Sequence, residues 1–494
     1  KKKQTTCHIK EGRNFATLET LSTKLLSVME VNLQTGIAWF LLTSSLFFFL
    51  TNNAQSDMYM DEVFHIPQAQ QYCNGNFTAW DPMITTLPGL YLSTVTLLFP
   101  VALTFNVDMA NVCTVAVLRG INILFSLGNF YVLYLIAYKL HFNKRNNSEV
   151  VLTALALATF PVLYFFTFLY YTDPAAVFLA LLTYYYVLHA KHEAASLAGV
   201  IAILCRQTNV VWLMLGTGVT CGKILVRWYE KKRGERKGDA TEWKALYKIA
   251  DLLVRSIWHN PKELVILALE VVQTVWSYGL VGVGFVAFII LNEGIVVGDR
   301  TNHRPCLNFP QLFYFLFVTA FFSCMHMISV AKVKDFLHHC LHQPYRLIIF
   351  VAIAVVWISQ FTFIHEYNLA DNRHYNFYFL SKLVLRNKYF KFLLIPAYYY
   401  AFVTATRLLQ HKNVFWKVSF LICVCANMIP QRLVEFRYFI LPYLILRLNM
   451  QMPSRSHLMM EVLFYFAINV FTVCMYCYKP IHWPNSGVPQ RFIW

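Results

Sequence analysis

The chain has 494 residues, of which 57% are hydrophobic, 17% aromatic and only 14% charged. Such a composition cannot cover a globular surface with polar groups, so it excludes a water-soluble protein and indicates a membrane protein with many spans. The net charge of +17 does not indicate nucleic-acid binding, because basic residues of membrane proteins usually collect in cytosolic loops.

Apolar runs along the chain predict about thirteen transmembrane helices, since a hydrocarbon core requires roughly 20 helical residues per crossing. Several runs are short, so about 12 to 14 helices are expected. The predicted spans lie at 36–51, 112–138, 150–170, 175–190, 194–205, 210–226, 264–291, 309–331, 346–364, 390–409, 414–429, 438–450 and 458–478. The fold class is therefore an all-α polytopic membrane protein.

The domain organisation predicted from these runs is simple. Residues 1–35 precede the first span and are expected to be a cytosolic, poorly ordered extension. Residues 36–494 show no internal repeat and no Gly-rich phosphate loop, which favours a single membrane-embedded domain.

Basic residues predict the orientation of the spans. With a cytosolic N-terminus, alternation places most of the 42 Lys and Arg residues on the cytosolic side, including the dense run 227–248. Lys382, Arg386, Lys388 and Lys391 lie on the opposite side and disagree with this topology.

The segment after the first span is polar and acidic. Asp61 and Glu62 are adjacent carboxylates at a membrane boundary, followed by Trp80 and Asp81. Carboxylates that lose hydration there are paired, protonated or used in catalysis, and a general base is one such use. An acidic pair that simply faces water is the equally weighted alternative.

Further polar motifs fall on the same predicted side as Asp61, away from the cytosol. Because chance would scatter them over both faces, their convergence predicts one site assembled from many loops. The motifs are 171–173, 206–209 with Arg206 and Asn209, 298–303 with Arg300, 370–375 with Asp371, Arg373 and His374, and 431–438 with Arg437.

The residue types of these motifs suggest the chemistry. Arginines near the membrane surface are fork-shaped donors suited to a lipid phosphate, although each is equally well explained as a headgroup anchor or a salt-bridge partner. Aromatic and amide side chains hold sugars by stacking and hydrogen bonding. A carboxylate beside them can accept a proton from an attacking hydroxyl, so the set fits sugar transfer from a lipid phosphate.

No cofactor or metal is expected. No second acidic motif with metal spacing accompanies Asp61 and Glu62, which favours metal-independent transfer, although the pair itself leaves a divalent cation open. The Cys423/Cys425 and Cys474/Cys477 pairs lie inside predicted spans, so neither a disulfide nor a metal role is expected. The cluster His338, His339, Cys340 and His342 has the residue types of metal ligands but no recurrent Cys/His spacing, so a solvated turn is expected there.

Long motifs between residue 36 and the end of the sequence resemble a known family. They are Tyr59–Gln70, Trp80–Tyr91, Leu169–Thr172, Arg206–Asn209, Gly294–Arg300, Leu369–Tyr375, Leu433–Pro442 and Trp483–Trp494. They are similar to the dolichyl-phosphate-glucose-dependent α-1,2-glucosyltransferases that add the last glucose to the lipid-linked oligosaccharide. Residues 1–35 have no counterpart in that family.

The resemblance implies a GT-C type glycosyltransferase, multi-pass in the endoplasmic reticulum membrane, with a lumenal active site. Its donor would be dolichyl-phosphate glucose, its acceptor the diglucosylated dolichyl-diphosphate oligosaccharide, and its surroundings the membrane lipid. Transfer would invert the anomeric centre, with Asp61 as the base and Glu62 as the substitute candidate.

Two other classes compete with an enzyme. A transporter or channel would place polar residues in mid-span, whereas these spans are almost free of charge. A regulatory membrane protein would not require Asp61.

Overall fold

The computed structural model describes residues 32–141, 146–233, 242–301, 305–384, 387, 389–484 and 488–494. Most of the predicted extension lies outside these residues. The same holds for Arg236 and Lys237 of the basic run, for Asn302 and His303 of the motif at 298–303, and for the dissenting Arg386 and Lys388. Over the described part the regular structure is helical and contains no strand, only two isolated β-bridges.

The helices are, in chain order, α1 (Leu33–Ala54), α2 (Glu62–Cys73), α3 (Gly89–Phe105), α4 (Met109–Val112), α5 (Val115–His141), α6 (Asn147–Ala158), α7 (Pro161–Phe165), α8 (Thr172–Leu188), α9 (His192–Cys205), α10 (Val210–Arg233), α11 (Lys244–His259), α12 (Pro261–Leu291), α13 (Pro310–Phe322), α14 (Cys324–Met327), α15 (Val330–His342), α16 (Pro344–Gln360), α17 (Glu366–Ala370), α18 (Tyr375–Phe379), α19 (Phe390–Leu393), α20 (Ile395–Leu408), α21 (Val414–Met428), α22 (Ile440–Asn449) and α23 (Arg455–Tyr478). Short 3₁₀ turns lie at Phe166–Phe168, Gln207–Asn209 and Phe436–Phe439.

The prediction of an all-helical, multi-pass membrane protein is confirmed. Each predicted span overlaps one or more of these helices. Within the described ranges, five helices are long and apolar enough to cross a membrane, and two bent pairs raise that number to seven. Further apolar helices have only 10–17 residues, so the count of 12 to 14 stays a prediction.

One apolar helix was not predicted. Helix α3 begins at Gly89, where a Cβ atom would lie 2.4 Å from the backbone of Leu204 near the end of α9, so glycine permits this close approach. The segment that follows leads to Arg119 near the start of α5, which is bonded to Glu62 of α2. The segment from Gly89 to Arg119 therefore starts beside the end of α9 and returns to the start of α2.

The bundle is held by a large apolar core and by ion pairs inside it. Helix α6 is buried along nearly its whole length, whereas α12 buries only three residues and lies at the periphery. In the core, Arg447 of α22 binds Glu461 of α23 with Nη2–Oε2 at 2.5 Å, and both side chains are at most 2% exposed. A buried guanidinium requires such a partner, because an unpaired charge there is costly.

Candidate active site

Five parts of the chain meet around one polar cavity. The cavity has a volume of about 290 Å³ and lies where α2 and α8 begin, where α22 is about to begin, and beside α17 and α18. Its lining is Met60, Asp61, Phe166, Tyr171, Tyr367, Asn368, Asp371, His374, Asn376, Leu433, Glu435, Arg437, Ile493 and Trp494. The convergence predicted for Asp61, Asp371, His374 and Arg437 is therefore present in the structure.

Glu62 turns away from this cavity into the core. Its carboxylate is fully buried and accepts hydrogen bonds from Arg119 Nε at 2.9 Å and Arg119 Nη2 at 2.7 Å. The backbone N–H groups of Tyr59 and Tyr170 donate to it as well, at 3.1 and 2.7 Å. With four donors and a buried counter-charge, Glu62 serves to hold the chain before α2.

Asp61 is positioned by that anchor. Met60 has a φ of +55°, a left-handed conformation that a non-glycine residue adopts at a cost. The bonds of Glu62 to Tyr59 and that of the Asp61 N–H to Tyr171 Oη, at 3.2 Å, hold this turn on both sides. As a result the Asp61 side chain is 41% exposed and points into the cavity, although its neighbour is buried.

Arg437 is the cation at the centre of the site. Its guanidinium lies 3.4 Å from Asp61, 3.0 Å from Glu435 and 3.7 Å from Asp173, and it packs on the rings of Phe166 and Tyr171. Burial alone would lower the pKa of Arg437, but Glu435, Asp173 and Asp61 outweigh burial and raise that pKa well above its usual value. The guanidinium therefore stays charged and fixes three carboxylates around itself.

Arg206 and Asn209 lie behind Arg437. Arg206 forms an ion pair with Asp173, which is 1% exposed, and lies over the ring of Tyr438. Asn209 is buried and donates to the carbonyl groups of Ala176 and Ala202, so it ties α8 to α9. Both line a separate small cavity of about 30 Å³ that Arg437 also borders.

Asp371 and His374 line the opposite wall, and Arg373 lies behind Asp371. Arg373 Nε and Nη2 donate to Asp371 at 2.9 and 2.8 Å, and its guanidinium stacks on Trp483 at 4.7 Å. Burial raises the pKa of Asp371, but the bonds from Arg373 outweigh it and lower that pKa overall. His374 Nδ1 donates to the Trp494 carbonyl at 3.0 Å, which leaves Nε2 facing Asp371 at 3.7 Å.

Three predicted site residues lie elsewhere. Trp80 packs on Tyr91, and Asp81 accepts from the Met83 N–H at 2.8 Å in its own turn. Arg300 is exposed and donates to carbonyl groups of its own loop, including Val296 at 3.1 Å. That loop reaches the Trp80–Asp81 region, because Gly298, at φ +65°, lies against the Pro82 carbonyl. None of the three lines the cavity at Asp61.

Several residues of the site were not singled out from the sequence. Asn368 and Asn376 both donate to the Val434 carbonyl, at 3.1 and 2.6 Å, and so hold the 433–437 segment against α17 and α18. Trp494 forms a wall of the cavity, and the buried Arg119 neutralises Glu62. The two asparagines flank the 370–375 motif, which is the signal that could have found them, whereas nothing near Arg119 marks it as a partner.

One disulfide was not predicted from the sequence. Cys73, at the end of α2, is bonded to Cys113, just before α5. The two are 40 residues apart and belong to no short motif, so sequence spacing gave no signal. The Cys423/Cys425 and Cys474/Cys477 pairs are free thiols, as expected. The cluster at 338–342 lies on helix α15, not in a turn.

An apolar groove adjoins the polar cavity at Asn376. It has a volume of about 110 Å³ and shares only that polar residue with the cavity. Its other lining residues are Tyr314, Phe317, Val318, Phe379, Leu380, Tyr398, Val434, Phe436 and Phe439. A polar cavity next to an apolar groove between helices matches a ligand with a polar head and a hydrocarbon tail.

Comparison with known proteins gives consistent matches. The model of the DIE2/ALG10 family matches residues 55–448. The chain is 41% identical to a Mus musculus protein named Dol-P-Glc:Glc(2)Man(9)GlcNAc(2)-PP-Dol alpha-1,2-glucosyltransferase, over 92% of this chain and 96% of that protein. Proteins of the same name from Homo sapiens and Arabidopsis thaliana are 40% and 32% identical, over 92% and 90% of this chain and 96% of each relative. No solved structure matches.

Proposed function

Because the chain belongs to the DIE2/ALG10 family, we propose that the cavity at Asp61 is the active site where it transfers glucose from dolichyl-phosphate glucose to the Glc2Man9GlcNAc2 oligosaccharide on dolichyl diphosphate. The chain is a hexosyltransferase that forms an α-1,2 linkage, as the resemblance in its sequence predicts. This assignment takes the place of the transporter and regulatory alternatives.

One observation carries the assignment of the base: of two adjacent carboxylates, only Asp61 faces the cavity, while Glu62 is bonded to Arg119 inside the core. In the proposed step the acceptor hydroxyl oxygen attacks C1 of the glucose and transfers its proton to Asp61. The bond from C1 to the phosphate oxygen breaks, and dolichyl phosphate leaves with the electron pair. Attack opposite the leaving group converts the β-linked donor into an α-linked product.

Arg437 positions the base in this scheme. Its guanidinium holds one Asp61 oxygen at 3.4 Å, which leaves the other oxygen directed at the cavity for the incoming proton. Asp173 and Glu435 hold Arg437 from two further sides. Asp61, Asp173 and Glu435 carry three negative charges, and the guanidinium groups of Arg437 and Arg206 offset two of them. The remaining negative charge favours the positive charge that develops on the sugar ring.

The donor phosphate is proposed to lie at the opposite wall, where the polar cavity meets the apolar groove. His374 lines the cavity with its Nε2 at 3.7 Å from Asp371, and Arg373 lies directly behind Asp371. The side chain of Asn376 borders both spaces. A phosphate held there would place its glucose towards Asp61 and its isoprenoid chain along the aromatic groove, without a charged group in contact with the chain.

Compartment and metal use belong to the same proposal. The Cys73–Cys113 disulfide closes the far end of α2, the helix that begins at the site, and disulfides persist in oxidising compartments such as the lumen of the endoplasmic reticulum. This supports a lumenal active site in a GT-C type enzyme embedded in membrane lipid. Transfer is proposed to need no metal ion, because a lipid monophosphate leaving group carries less charge than a nucleotide diphosphate and guanidinium groups lie within the site.

The test of the base uses purified protein, dolichyl-phosphate glucose and a lipid-linked acceptor that lacks the terminal glucose, with mass and linkage analysis of the product. Asp61→Asn should lower turnover at least ~100-fold. Asp57→Asn is the matched control, since this exposed carboxylate lies four residues away and lines no part of the cavity. Normal turnover of Asp61→Asn would exclude this base.

The donor site and the metal are tested with the same assay. Arg373→Lys should raise the KM for dolichyl-phosphate glucose, because a point charge does not reproduce the fork that holds Asp371, whereas Arg300→Lys should not. An equal effect of both substitutions contradicts the proposed phosphate position. Loss of turnover in a chelator, restored by a divalent cation, would show that a metal is required.

A further inference from the structure

A second cavity lies at the opposite end of the helix bundle from Asp61. It has a volume of about 470 Å³ and is enclosed by α15, α16 and α20. Helices α16 and α20 run in opposite directions, so that Ile358 and Ile395 pack together at one end and Arg346 and Arg407 meet at the other. This end of the bundle plays no part in the proposed glucosyl transfer.

The mouth of the second cavity is basic. The Arg346 guanidinium is exposed. Among the described residues, its only hydrogen-bond partner is the hydroxyl of the neighbouring Tyr345, at 3.2 Å from Nε. Among the described residues, Arg407 forms an ion pair only with Asp335, at 3.6 Å, and that carboxylate is 67% exposed. The two arginines and one aspartate leave a net positive charge at the mouth, beside His339.

Two buried polar atoms line this cavity without a protein partner. Tyr399 is only 2% exposed, and its hydroxyl forms no hydrogen bond within the described ranges. Gln343 Oε1 is buried and unbonded in the same way. A buried hydroxyl without a partner costs free energy, so a donor in this position indicates an acceptor supplied by a ligand.

Beyond the arginines the wall of the cavity is apolar. It is formed by Ile349, Phe350, Ile353, Phe402 and Val403. Phe350 packs on Tyr399 and on Phe402, with ring centroids 4.9 and 5.8 Å apart. A ligand that satisfies both parts of the cavity has an anionic head and a hydrocarbon chain.

The orientation of α15 places the cavity mouth at the membrane surface. Helix α15 is bent by 94° from α16 and exposes Val330, Val333, Leu337 and Leu341, with Lys332 and Lys334 on the same helix. An amphipathic helix perpendicular to a span lies in the interface, at the depth of the lipid headgroups. Arg346 and Arg407 therefore reach the phosphates of the leaflet opposite the active site.

We propose that the second cavity binds one anionic phospholipid. Arg346 and Arg407 hold its phosphate, the Tyr399 hydroxyl donates to one of its oxygens, and an acyl chain lies against Phe350 and Phe402. The ligand is a resident of the membrane and not a substrate, so the inference does not depend on the glucosyltransferase assignment.

The test measures lipid binding to the purified full chain by native mass spectrometry, with phosphatidylinositol and phosphatidylcholine in equal amounts. One phosphatidylinositol should be retained per chain. The double substitution Arg346→Gln/Arg407→Gln should lower its occupancy roughly 10- to 30-fold, as expected for the loss of two basic contacts to an anionic lipid. Lys248→Gln/Arg255→Gln, which removes two exposed charges of α11, should leave occupancy unchanged.

Tyr399→Phe separates binding from folding. If the Tyr399 hydroxyl serves only to bind the lipid, the variant should bind phosphatidylinositol several-fold more weakly. It should nevertheless resist thermal inactivation in lipid-free detergent at least as well as the wild type, because an unpaired buried hydroxyl has been removed. Equal occupancy in Arg346→Gln/Arg407→Gln and the wild type overturns the proposal. Equal retention of phosphatidylcholine, or displacement of the lipid by inorganic phosphate alone, overturns it as well.

Discussion

Glu62→Gln tests the claim that Glu62 is a structural residue and Asp61 the base. The carboxylate of Glu62 accepts from Arg119 Nε and Nη2 and from the Tyr59 and Tyr170 N–H groups. A glutamine keeps the shape but offers one oxygen and one NH2 group, so the donors on the replaced oxygen face another donor. It also leaves the charge of Arg119, which is 1% exposed, without compensation.

The expected magnitude follows from that burial. Removal of one partner of a buried ion pair costs about 3–5 kcal/mol, because the other charge stays unpaired. If the whole loss lowers the barrier to unfolding, thermal inactivation in detergent accelerates by roughly 10²- to 10⁴-fold. Asp61→Asn, which alters a half-exposed side chain, should change the inactivation rate little and turnover strongly.

The assay follows residual glucosyl transfer after timed incubation at a raised temperature, together with initial turnover at low temperature. Glu242→Gln, an exposed acid far from the site, is the matched control. The assignment of the two carboxylates would be refuted by the reverse pattern. In that case Glu62→Gln would be inactivated by heat no faster than the control but would have no initial turnover, while Asp61→Asn would retain its activity.

Other substitutions test the neighbouring elements. Arg437→Lys should lower kcat at least ~10-fold in the glucosyl-transfer assay, because a lysine cannot hold three carboxylates at once; an unchanged kcat would remove its positioning role. Replacing Cys73 and Cys113 by serine should lower the free energy of unfolding by up to about 4 kcal/mol, because the disulfide closes a loop of 40 residues. Rates of thermal inactivation measure this loss, and thiol labelling of the wild type tests whether the bond is present. Labelling of both cysteines in the untreated wild type would contradict the bond. Glycosidase digestion should release glycan from the exposed sequon at Asn76 but none from Asn146, and a glycan at Asn146 would reverse the proposed topology.

The sequence by itself determined the class of the protein and the materials of its site. Apolar runs fixed the helical, membrane-embedded architecture, because unpaired backbone groups are not tolerated in hydrocarbon. The polar motifs around Asp61, Asp371 and Arg437 stood out because charged residues are rare in such a chain. Long motifs also carried the family resemblance, which the relatives confirm.

Only the tertiary structure decided how those materials are used. Asp61 and Glu62 are neighbours in sequence, yet the left-handed turn at Met60 and the bonds of Arg119 send one side chain into the cavity and the other into the core. Arg300 and Arg373 both have an aspartate, an asparagine and a histidine nearby in sequence, but Arg300 is bonded within its own loop, away from Asp61. Contacts between residues hundreds of positions apart in sequence, such as that of Arg437 with Asp61, depend on how the helices pack. The local periodicity of the sequence does not predict them.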